Sequence, residues 1–159
     1  MRGTQGGIRV FNAHDQKRVA AWRLARLVKF VVSREQATWR GEVNVVLCDD
    51  QTIRELNARF LGHDYPTDVL AFPLGESPAA LEGEVYVSLD RAEEQAREAG
   101  VSFDNEVCRL VAHGLLHLLG YRDGEAVEAA KMQARQEGYL RLFLASQGAT
   151  KTQDRTGGC

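Results

Sequence analysis

Residues 113–123 read HGLLHLLGYRD, and no other stretch of the chain limits its fold so tightly. Leucines at 115, 116, 118 and 119 ask for burial, yet His113 and His117 stand among them, four residues apart and therefore on one face of a helix. Their ring nitrogens converge there on a single point. An isolated HxxxH pair has a plainer reading, as two half-buried histidines, so the residues beyond the pair decide between the two. Gly120 lies three residues past His117, where a glycine can take the left-handed conformation that ends a helix and turns the chain back. The turn returns Asp123 toward the histidines.

The resulting HxxxHxxGxxD spacing is the one by which zincins of the metzincin type deliver a third ligand to one ion, and a carboxylate oxygen is an acceptable zinc ligand. The expected metal ligands are His113, His117 and Asp123. Three protein ligands leave a fourth position for water, the mark of a catalytic zinc, with that water as the nucleophile of a hydrolysis. Zinc is preferred, although two histidines and a carboxylate also suit iron, manganese or nickel. No catalytic side chain is assigned, because HExxH peptidases carry their general base where this chain has Gly114. Either another carboxylate reaches in, or the substrate activates itself, or the enzyme is not a peptidase. A glycine also lets a sheet or a substrate approach the helix closely.

The rest of the chain must support that helix. With 159 residues, 44% of them hydrophobic, it suffices for one domain. We expect residues 1–147 to form it and 148–159 to be a disordered polar tail. Strands are expected at 8–13, 42–48, 68–72 and 84–89, with 77–83 an exposed loop. Helices are expected after Asp15, after Asp49 or Asp50, after Asp90 and after Asp104, each aspartate acting as cap, and again over 124–144. The result is an α+β fold: a mixed sheet of about four strands packed with about five helices, one of them a zincin-like metal helix.

A net charge of −2 excludes a globally basic nucleic-acid coat, so any RNA site must be local. Three scattered cysteines, Cys48, Cys108 and Cys159, form neither a disulfide framework nor a CxxC pair. No apolar run is long enough to span a membrane, and the N-terminus has no signal core. A cytoplasmic protein is expected.

On the first helix Arg18, Arg23, Arg26, Lys29 and Arg34 share an arc of roughly 160° with Trp22 and Phe30 among them. That pattern suits either a solvated face or contacts to single-stranded RNA through Arg23, Arg26 and Lys29. Asp68 either caps a turn or accepts the second N–H of a ligand histidine. His63 reads as a loop residue or a substrate contact, Glu106 as half of a salt bridge and Cys108 as a small core residue.

The metal stretch also resembles the signature of the YbeY family, HGxLHLxGYDH, matching at His113, Gly114, Leu116, His117, Leu118, Gly120 and Tyr121. Upstream, LNARFLGHDYPTDVLAFP resembles that family's LN…PTDVLSFP segment, and EGEVYVSLDRA resembles its GD-I-x-IS strand. The resemblance implies a zinc-dependent, single-strand-specific endoribonuclease of ribosomal RNA maturation and ribosome quality control. Its partners would be single-stranded RNA, ribosomal RNA or a ribosomal subunit, and its metal would sit at the mouth of a cleft. Two departures from the pattern bear on the chemistry: the family's third histidine falls at Asp123, and the arginine of its LNxxFR segment falls at Leu61. That arginine's role does not transfer to Arg59, two positions away. The competing readings are a metallopeptidase with a displaced base and a non-catalytic ribosome-associated factor whose metal is structural.

Overall fold

Four stretches rich in β-branched residues build a single sheet: β1 (Gly7–Asn12), β2 (Thr38–Cys48), β3 (Val69–Pro73) and β4 (Ala80–Ser88). The computed structural model describes residues 7–75 and 80–156, with side chains through 147. The strand order is β1-β2-β4-β3, with β1 and β4 parallel to β2 and β3 antiparallel to β4. Parallel neighbours need crossovers, so helices necessarily separate the strands in sequence. Helix α1 (Ala21–Arg34) links β1 to β2, and α2 (Asp50–Leu61) with β3 bridges β2 to β4. Helices α3 (Leu89–Ala99), α4 (Phe103–Leu118) and α5 (Ala126–Thr156) complete the single domain.

Period-two alternation divides the sheet into two faces. Val43, Val45 and Leu47 of β2 and Leu81, Val85 and Val87 of β4 point into the main core. They meet Leu24, Leu27, Val28 and Val31 of α1 and the apolar side of α4. Cys48 and Leu70, with Tyr86 beside them, pack against Ile53 of α2 in a smaller cluster. Cys48 and Cys108 are buried free thiols, held up at about 12 and about 11 chiefly by desolvation. No helix among the described residues is long and apolar enough to cross a membrane.

Several boundaries differ from those expected. Strand β4 starts at Ala80, because Ala80 and Leu81 pair with Thr38 and Trp39 of a longer β2 and Leu81 is buried. Residues 80–83 are therefore sheet rather than loop, and 76–79 lie outside the described residues. Asp15 caps nothing: α1 begins at Ala21 without a side-chain cap, and the segment before it folds around buried His14. Helices α3 and α4 are capped by Ser88 and Ser102, not by Asp90 and Asp104. Asp49 does cap α2, accepting the Thr52 N–H at 2.8 Å. The boundary expected at 147 is no break in the backbone, since α5 runs on to Thr156 through a segment without proline. Residues 157–159 lie outside the described residues.

Candidate metal centre

Helix α4 crosses the inner face of β3 and β4 at Gly114. A Cβ there would lie 2.5 Å from Val85 Cγ1 and 3.0 Å from Val69 Cγ2. The missing side chain thus serves close packing on the sheet. Four residues after Gly114 the helix ends, and its last carbonyls are closed by a Schellman turn: the Tyr121 N–H donates to Leu116 O and the Gly120 N–H to His117 O, both at 3.0 Å. Gly120 has φ 98°, accessible at low cost only to glycine. Beyond it the chain doubles back and brings Asp123 to the histidines.

Nε2 of His113 and Nε2 of His117 lie 3.1 Å apart, and Asp123 Oδ2 lies 3.6 and 3.4 Å from them. The histidine side chains are 24% and 30% exposed and the Asp123 side chain 50%, which puts the cluster at the surface. The far nitrogen of each ring fixes its tautomer. His113 Nδ1 donates to Gln136 Oε1 at 2.6 Å and His117 Nδ1 to the Tyr121 carbonyl at 3.1 Å. Both protons being on Nδ1, two Nε2 lone pairs and a carboxylate face one another. Three acceptors aimed at one point repel unless a cation lies between them. The separations also suit one: ligands about 2.0–2.2 Å from a tetrahedral zinc stand roughly 3.3–3.5 Å apart.

Neighbouring residues brace the turn. Tyr121 Oη donates to Glu35 Oε1 at 2.8 Å, and Tyr139 Oη donates to Glu35 Oε2. Burial first, then Glu35, raises both phenols, Tyr139 to about 12, so both remain donors. His117 also borders an open cleft of about 600 Å³ whose other walls include Val69, Leu70 and Ala71 of edge strand β3, Glu82 and Arg122.

The expected ligands thus come together, while other expectations are redistributed. Asp68 does not orient a histidine, since both Nδ1 atoms have other partners. Its carboxylate accepts from Gln95 and Thr67, and its carbonyl accepts the Ser88 N–H. His63 stacks on Tyr65 after α2, and buried Glu106 pairs with Arg109. Arg23 is held by Asp104 and Asn105 near the start of α4, so it is not free to meet RNA at the metal. Arg26 lies over Trp22, Lys29 is exposed, and Leu61 is exposed at the end of α2.

Sequence reasoning missed Gln136 and Arg122. Gln136 had a signal: it interrupts the apolar stripe of Met132, Tyr139, Leu140 and Phe143 on α5, where a buried amide needs a partner.

Comparison with known proteins agrees with this geometry. The family model described as endoribonuclease YbeY matches residues 9–143. A protein of that name from Salinibacter ruber is 41% identical over 139 residues, covering 82% of this chain and 88% of its own. The Chlorobaculum tepidum protein of the same name is 36% identical, covering 84% and 95%. A solution structure of a Thermotoga maritima protein superposes with a TM-score of 0.63 at 33% identity, covering 96% of this chain and 99% of that one.

Proposed function

The chain belongs to the endoribonuclease YbeY family, and from that premise we propose that it is a zinc-dependent enzyme cutting single-stranded RNA during ribosomal RNA maturation and ribosome quality control in the cytoplasm. The observation that carries the reading is the set of three lone-pair donors, His113 Nε2, His117 Nε2 and Asp123 Oδ2, turned on one point beside an open cleft. In the proposed enzyme these residues hold the ion. When bound, a divalent ion supplies Lewis acidity and lowers the pKa of a water toward neutrality. Gln136 and the Tyr121 carbonyl keep the Nδ1 protons in place, so that neither ring presents an N–H to the ion. In the overall reaction a water oxygen bonds to phosphorus and a ribose oxygen departs.

The cleft suits an unpaired strand better than a duplex. Its wall along β3 is apolar and open, a surface for splayed bases, and Arg26 and Lys29 on α1 are secondary contacts for a longer strand. A peptidase with its base at position 114 is disfavoured on steric grounds, since even a methyl group there strikes Val85.

Metal-loaded protein is expected to cut a single-stranded RNA and leave its duplex intact. Chelation should stop cleavage, zinc should restore it, and His113→Ala should abolish it. Cleavage that persists both after chelation and in His113→Ala would refute the proposal.

A further inference from the structure

We propose that Arg122 supplies the cation that grips an RNA phosphate at the metal cleft. The ligand in this inference comes from the nuclease reading, while its principal test is a binding measurement that does not require cleavage. With a net charge of −2, the chain cannot attract a polyanion as a whole, so a local cation has to do so. Arg135, 3.7 Å from Glu35, and Arg109, bonded to buried Glu106, are committed elsewhere, and exposed Lys131 lines the neighbouring hollow rather than the cleft. Arg122 is different: among the described residues it has no ion pair and no hydrogen bond, and it is the one cation lining the cleft that contains His117.

Its placement is also fixed. Arg122 sits between Tyr121, held by the Schellman turn and by Glu35, and Asp123, one of the three clustered donors. The side chain thus springs from a held stretch of backbone next to the donor cluster, its guanidinium is left unpaired, and its planar fork matches two phosphate oxygens. Arg122 further lines a second hollow with Lys131 and Arg135. It therefore stands on the ridge between the cleft and this second hollow, whose Lys131 and Arg135 are balanced by Glu35 and Glu128, so that Arg122 is the unbalanced cation of both.

The test uses zinc-loaded protein and a fluorescent, 2′-O-methylated single strand, whose integrity is checked on a gel. Affinity is measured by anisotropy across a salt series. In Arg122→Ala the slope of log K against log salt should flatten by about 0.7, the value for one lost contact to a single strand. Arg122→Lys should keep the slope but bind more weakly, because a point charge replaces a fork. Arg9→Ala, on β1 at the sheet edge opposite β3, serves as the control and should leave the slope unchanged. On cleavable RNA, Arg122→Ala should raise KM more than it lowers kcat, with zinc content unchanged. The proposal is overturned if Arg122→Ala keeps the wild-type slope, if Arg9→Ala flattens it equally, or if the wild-type protein does not bind the strand. A flattened slope without cleavage by the wild type would retain Arg122 as a phosphate contact and remove the nuclease reading instead.

Discussion

Gln136 has no exposed surface, and an amide buried in that way is costly unless both of its ends are satisfied. Here Oε1 accepts from His113 and Nε2 donates to Glu137 Oε1 at 3.2 Å, so one residue links the metal helix to α5. Gln136→Leu removes the acceptor that keeps the His113 proton on Nδ1, and zinc affinity is expected to fall about 10- to 100-fold. Gln136→Glu keeps the acceptor but loses the donor to Glu137, so the double variant Gln136→Glu, Glu137→Gln, which restores both hydrogen bonds, is the one expected to stay near wild type. Competition with a chromophoric chelator, with folding checked by circular dichroism, measures both. Equal affinity in the leucine variant would mean that packing alone orients the ring. The three clustered donors were legible in the sequence because helical spacing and one glycine dictate their convergence. Arg122 was not, since its role depends on how the returning turn lies beside the cleft, and Gln136 was marked only as a break in the apolar stripe of α5, with no local pattern to name His113 as its partner.

Helix α4 is positioned by contact with the sheet at Gly114, where the neighbours are two stiff β-branched side chains and Val85 is fully buried. Gly114→Ala is accordingly expected to destabilise the fold by about 1–3 kcal/mol, despite alanine's better helix propensity. Urea unfolding should reveal this as a lower midpoint at constant slope, and adding Val85→Ala should recover part of the loss. An unchanged midpoint would show that the helix can lift off the strand without cost. Elements of this kind were largely readable in type and order, whereas their ends were not. Ser88 and Asp90, like Ser102 and Asp104, are both good caps two residues apart, and propensity does not rank them. The choice falls to tertiary pairing: β4 stays registered with β2 as far as Ser88, so α3 starts immediately after, leaving Asp90 in the first turn where a carboxylate favours the helix dipole.

Across the whole molecule, Asp90 ties together segments far apart in sequence. Its Oδ1 accepts from Lys17 at 2.6 Å and from His14 Nε2 at 2.9 Å, and its Oδ2 accepts the Asp50 N–H at 2.9 Å. The lead into α1, the start of α2 and the start of α3 thereby share one carboxylate. Desolvation pushes Asp90 up, but Lys17, the Asp50 N–H and His14 together outweigh it and lower the group from 3.8 to about 2. A carboxyl depressed in the folded state contributes stability that is complete above its unfolded value and disappears as pH falls through the folded one. Asp90→Asn is therefore expected to cost about 1–2 kcal/mol at pH 7, after discounting for partial exposure, with the deficit shrinking between pH about 4 and about 2. Urea titrations of both proteins across that range, with chelator present to keep metal binding out of the comparison, measure the deficit directly. A deficit independent of pH would assign the loss to broken packing. One that closes over the stated window would place an electrostatic knot at the junction of these segments, coupling acid sensitivity of the fold to a carboxylate outside the metal cluster.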